Sequence, residues 1–144
     1  MADGEALVRV ADVDAESARA WLVDHHGAAD ASVDDVELLG EGAWSRAFGA
    51  TVDGREVVVR FGRYRADFAR DRHAARWAGP HLPVPAVHHV GPVVDGFVAV
   101  SDRCHGTPIE QLDAAGWVAV LPSLFDALAA LRAIEPDLPG HGEW

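Results

Sequence analysis

The chain has 144 residues, enough for one domain with a buried core. Twelve basic against 23 acidic residues give a net charge of -11, which argues against nucleic acid as a partner, because displacing counterions from phosphates needs a cationic surface. Every basic residue is Arg, so a Walker-type phosphate loop with its obligatory Lys is excluded.

The one cysteine, Cys104, leaves no internal disulfide and fits a reducing compartment. No apolar run approaches the ~20 residues that span a bilayer. The N-terminus also lacks a basic segment leading into an apolar one. A cytoplasmic protein without a membrane partner is therefore expected.

Residues 1–10 read as a loose lead-in. Asp14 can cap a helix over 15–26, with Ala18, Trp21 and Leu22 on one face and Gly27 as its stop. A polar linker follows over 28–35. Three strand-like runs come next, at 36–40, 45–52 and 55–61, and Asp53-Gly54 is a two-residue hairpin signal between the last two. A helix is predicted over 65–78, ended by Gly79-Pro80, and Leu82-Pro83-Val84-Pro85 must be extended. A second hairpin spans 87–94 and 97–101 and turns on Asp95-Gly96. After the break at Gly106-Thr107-Pro108 the chain is helical over 112–134, with Pro122 as a kink or as the start of a separate helix. A Gly- and Pro-rich tail covers 136–144. Five antiparallel strands, with a helix between the third and fourth, make an α+β unit. Local hairpins in place of βαβ crossovers argue against a Rossmann sheet.

Three features could carry chemistry. In Gly40-x-Gly42-x-x-Ser45 the loop runs into a strand, whereas a dinucleotide fingerprint opens a helix. Such a loop can fold over phosphates with backbone N–H groups, and Ser45 can add a hydroxyl; an ordinary glycine-rich turn would read the same way. On the following strand Val57, Val59 and Phe61 share one face, and Glu56, Val58 and Arg60 the other. Ala47 and Val58 could then floor an adenine site while Arg60 reaches phosphates, for which a planar guanidinium is suited. A surface Arg at a strand end is the plainer alternative. Asp71 falls within the helical stripe of Phe68, Ala74, Ala75 and Ala78. An inward carboxylate needs a cation, and Arg60 is the natural one, with an Arg on the same helix as the alternative.

The histidines give no metal-binding pattern. His25-His26 and His88-His89 are adjacent, which is not the spacing that lets two rings share one ion. Cys104-His105 lacks a third orienting group, so neither a catalytic nor a metal-binding set is assigned. Leu121, Leu124, Leu128, Leu131 and Ile134 form an apolar stripe that would need a partner chain or self-association if left uncovered.

Taken in order, the glycine loop, Val58-Val59-Arg60, Asp71-Arg72, Trp77, the Leu-Pro-Val-Pro run and residues 100–106 resemble the aminoglycoside phosphotransferase family, over its N-terminal half only. That resemblance implies a protein-kinase-like N-terminal lobe over 1–103, then a hinge and the start of a truncated C-terminal lobe over 104–144. By it, 40–48 covers the phosphates of ATP, Arg60 contacts them, Asp71 holds Arg60, and the backbone of Ser101, Asp102 and Arg103 reads adenine. The family's catalytic His-x-Asp-x-x-x-x-Asn loop and its second, magnesium-binding Asp have no counterpart: His105 precedes Gly106-Thr107, and the chain contains no Asn. Magnesium and a small-molecule substrate are thus expected only with a C-terminal lobe, and the 144 residues alone are expected to be inactive.

Overall fold

A computed structural model describes residues 8–27 and 32–135. The readings made for 1–7, 28–31 and the 136–144 tail lie outside these residues. The chain divides into two compact units, one of Met1–Arg76 with Pro85–Cys104, the other of Trp77–Val84 with His105–Trp144.

The first unit is built on a five-stranded antiparallel sheet. Its strands are β1 (Val33–Glu41), β2 (Ser45–Val52), β3 (Arg55–Gly62), β4 (Val87–Val93) and β5 (Gly96–Asp102), in the spatial order β1-β2-β3-β5-β4. Helix α1 (Ala15–His26) precedes the sheet, and α2 (Arg65–Ala74) lies between β3 and β4 in sequence. The β2–β3 turn holds Asp53 at φ 49° and Gly54 at φ 78°, the left-handed pair that matches the twist of a two-residue hairpin. In α1 the Asp14 carboxylate accepts the Ser17 N–H at 2.8 Å, and Gly27 closes the helix at φ 62°.

Alternation along the strands sorts the sheet into two faces. Phe48, Ala50 and Val52 of β2 join Val57, Val59 and Phe61 of β3, and Val98 and Val100 of β5, in the main core. Helix α1 closes this face with Ala18, Trp21 and Leu22. The Trp21 ring meets the Phe61 ring edge-on at 5.9 Å. On the opposite face, register sets Ala47 beside Arg60, Gly49 beside Val58, and Ser101 beside Val58 from the other side. Phe68 of α2 is buried at the β3 end, where a Cβ on Gly62 would come within 2.9 Å of its ring.

Several boundaries depart from the sequence reading. Residues 8–10 are not loose: Val8 and Val10 are buried, Val10 N–H donates to Asp95 Oδ1 at 2.6 Å, and Val94 N–H donates to Val8 O. The strand expected from 36 starts at Val33, which is buried, and Asp35 at φ 52° makes a bulge that hides the alternation. The second hairpin closes with Val93 opposite Gly96, so its turn residues are Val94 and Asp95. Helix α2 gives way after Ala74 to a single 3-10 turn at Ala75–Trp77.

In the second unit a 3-10 turn at Ile109–Gln111 leads to α3 (Ala114–Arg132). Asp113 caps it by accepting the Gly116 N–H at 2.8 Å. Pro122 lies inside this helix without ending it. By length and composition alone α3 could cross a membrane, contrary to the reading that no segment could.

Candidate functional site

The glycine loop joins β1 to β2, and several bonds hold it. Gly42 N–H donates to Ser45 O at 2.8 Å, closing a tight turn around Ala43 and Trp44. Arg46 clamps the loop base, donating to Glu41 Oε1 at 3.0 Å and to Val13 O at 2.8 Å. Arg63, just past β3, donates its backbone N–H to Trp44 O at 3.2 Å. Neither Gly40 nor Gly42 has a positive φ, and a Cβ on Gly42 would meet nothing nearer than 3.9 Å. The chain's own packing therefore does not require glycine here; omitting side chains leaves the loop bare.

Below the loop lies an open cavity of about 390 Å³. Gly42 and Ser45 line it from the loop, Arg60 and Gly62 from β3, and Phe68 and Asp71 from α2. Arg60 donates to Asp71 Oδ2, and its guanidinium stands 4.7 Å from the centre of the Phe68 ring. A carboxylate on one side and an aromatic face on the other thus orient this cation at the cavity wall. Both partners are partly open, with 37% and 50% of their side chains exposed, so Asp71 is not the inward carboxylate that its place in the apolar stripe suggested. The neighbouring Asp67 makes the within-helix pair, with Arg70 at 3.7 Å.

The other candidate residues lie elsewhere. Ala47, Val58 and Ser101 share the sheet face of Arg60 but do not line this cavity. Gly40 pairs with Ala47 at the end of β1 and is also outside it. Arg103 lies across Gly49, where a Cβ would come within 2.6 Å of its guanidinium, and donates to Glu37 Oε1 at 2.7 Å. Asp102 is paired in register with Val57 and so belongs to the core-side face at the strand end. There its Oδ1 accepts from Arg55 at 2.9 Å and lies 2.7 Å from His88 Nε2. The His88 hydrogen bond, then Arg55, holds the Asp102 carboxyl below its usual range. The backbone N–H groups of Asp102 and Arg103 donate to Ala86 O and Glu56 O.

Periodicity did not single out Trp44, Arg63, Tyr64 or Arg70, all of which line the cavity. Trp44 and Tyr64 are half exposed, their rings 6.1 Å apart, and Arg63 lies over the Trp44 ring at 5.6 Å. The available signal was local: two large aromatic residues and an Arg in short connections that flank the same strand pair. Among the described residues no group of three His, Cys, Asp or Glu side chains could hold a metal ion.

This sheet, with a helix between its third and fourth strands, has the protein-kinase-like N-terminal lobe as its class. No protein-family model matches the chain. It is 33% identical over 106 residues to the hygromycin-B 4-O-kinase of Escherichia coli, covering 72% of this chain and 31% of that enzyme. It superposes on the crystal structure of aminoglycoside phosphotransferase APH(4)-Ia with a TM-score of 0.76 at 31% identity, covering 85% of this chain and 40% of that one. A thermostable mutant of APH(4)-Ia, solved as a ternary complex with AMP-PNP and hygromycin B, superposes with a TM-score of 0.74 at 30% identity, covering 83% of this chain and 40% of that one. Sequence and fold together support the aminoglycoside phosphotransferase family, with the chain matching the N-terminal lobe of its members. It spans about a third of the curated relative it matches.

Proposed function

We propose that the chain is the ATP-binding lobe of an aminoglycoside phosphotransferase-like kinase, which transfers the γ-phosphoryl group of ATP to a hydroxyl of an antibiotic or another small molecule. The cavity carries this reading. A glycine loop with no packing reason to be bare faces a guanidinium that Asp71 and Phe68 hold in place. Backbone N–H groups and a positioned cation are what phosphate oxygens require. Nucleotide in the APH(4)-Ia ternary complex supports the same ligand here. Ala47, Val58 and Ser101 are the adenine end of the proposed site, since Asp102 faces the core side and the N–H groups of Asp102 and Arg103 are taken within the chain; Gly40, Gly42, Ser45, Arg60 and Asp71 are at the phosphate end.

Magnesium does not fit the described residues. The two cavity carboxylates are each engaged by an Arg, Asp71 by Arg60 and Asp67 by Arg70. Metal, catalytic base and acceptor site would come from a C-terminal lobe, so these 144 residues alone bind nucleotide and do not transfer phosphoryl groups. In calorimetry the chain should bind ATP, and Arg60→Ala should weaken binding about tenfold, the worth of one charge-assisted hydrogen bond. Unaltered affinity in that variant, or phosphorylation of an aminoglycoside by the purified chain, would count against the assignment.

A second reading rests on α3, where Val118 is 70% and Phe125 63% exposed. In that reading the stripe of Leu121, Leu124, Leu128, Leu131 and Ile134 docks a partner chain or a second copy, and the chain is a non-catalytic interaction module. Sedimentation as a clean monomer that does not bind an apolar dye would remove it.

A further inference from the structure

The charges around the cavity do not cancel. Three guanidinium groups line it, from Arg60, Arg63 and Arg70, against the two carboxylates of Asp67 and Asp71. Arg60 is engaged by Asp71 and Arg70 by Asp67. Arg63 makes no ion pair among the described residues; its guanidinium rests on the face of Trp44, 5.6 Å from the ring centre. An indole face takes no hydrogen bond in the plane of a guanidinium, so such a contact leaves N–H donors available to a second ligand. Its backbone is meanwhile pinned to the loop by the bond from Arg63 N–H to Trp44 O. The uncompensated cation of the cavity is thus attached to the glycine loop by both main chain and side chain.

We propose that Arg63, held against Trp44, is the residue that engages the terminal phosphate of the bound nucleotide and sets the cavity's preference for a triphosphate. This rests on the nucleotide reading above and adds to it a division of labour between the two arginines. Arg60, already neutralised by Asp71, orients the ligand. Arg63 contributes the net charge that each added phosphate can use. A cation that already has a carboxylate partner still donates hydrogen bonds to a phosphate, but each further negative charge on the ligand gains more from a cation that has none.

The test is calorimetric titration of the 144-residue chain with ATP, AMP and inorganic tripolyphosphate, alongside Arg63→Ala, Arg63→Lys and Trp44→Leu. The expected result is that Arg63→Ala weakens ATP and tripolyphosphate about tenfold while changing AMP less than about twofold. Arg63→Lys should recover part of the loss, because it keeps the charge without the planar fork. Trp44→Leu should fall between the unsubstituted chain and Arg63→Ala. Thermal midpoints should stay together across the set, which a purely structural role of Arg63 would not allow. If Arg63→Ala leaves the ratio of ATP to AMP affinity unchanged, the assignment of Arg63 fails and the nucleotide reading stands. If the unsubstituted chain binds neither ATP nor tripolyphosphate, both fail.

Discussion

The two units of this chain put apolar sequence to opposite effect. In the sheet unit, alternate residues of β2, β3 and β5 vanish into a shared core with α1, where Phe61, Val59, Val98 and Leu22 are fully buried. In the other unit α3 has no buried residue, and Trp117, Val118, Leu121, Phe125, Leu128 and Leu131 are all exposed. A helix or strand pattern reports that a face favours burial; it does not report whether the covering surface belongs to the same chain. The sheet has its cover in α1.

The strongest way to break this contrast is to truncate one phenylalanine from each unit. Phe61→Ala should cost about 3–5 kcal/mol of unfolding free energy in urea, because a closed core leaves a cavity behind. Phe125→Ala should change it by less than about 0.5 kcal/mol, as for an exposed site. A large loss from Phe125→Ala would mean that the α3 face is covered in solution.

A middle-sized effect should come from pH, in the sheet unit. The His25 ring stacks on Trp21 at 4.6 Å and lies 4.1 Å from the His89 ring. Burial, then the neighbouring His89 and His26, lowers the His25 pKa; burial, then Arg72, lowers that of His89. A base whose folded pKa is depressed binds its proton more readily when unfolded, so stability falls as pH drops through the ordinary histidine value of about 6.5. The thermal midpoint should therefore decrease from pH 7.5 to pH 5.5. In a His25→Phe, His89→Gln double variant the decrease should be smaller, and an unchanged slope would show that the pair is not its source.

The smallest effect is expected at the open end of β5. Arg55 and His88 meet Asp102 there, but the Arg55 and Asp102 side chains are 61% and 39% exposed. Arg55→Ala should cost less than about 1 kcal/mol, within the range of solvent-screened pairs. A greater cost in the same urea titration would mark this cluster as part of the sheet's closure.

Much of this protein can be read from neighbouring residues alone. Asp14 and Gly27 delimit α1, and Asp53-Gly54 forces the β2–β3 turn. The step from Gly40-x-Gly42 into a strand at Ser45 separates this loop from a dinucleotide fold. Alternation sends Arg60 to the face opposite Val59 and Phe61. These are local properties of backbone geometry and side-chain spacing, so a single sequence carries them.

What only the tertiary structure decided are encounters between distant segments. The order that sets β5 beside β3, Val8 and Val10 closing the core beside Asp95, and Asp102 on the core-side face follow from long-range register, which local spacing does not encode. So does the balance of charges in the cavity. Asp71 meets Arg60 and Arg63 is left on Trp44 because separate elements bring these side chains together, whereas Asp67 takes Arg70 within α2. The sequence by itself determined that a glycine loop and a strand-borne cation exist; tertiary packing decided that Arg60 is neutralised by Asp71 while Arg63 lies over the Trp44 ring.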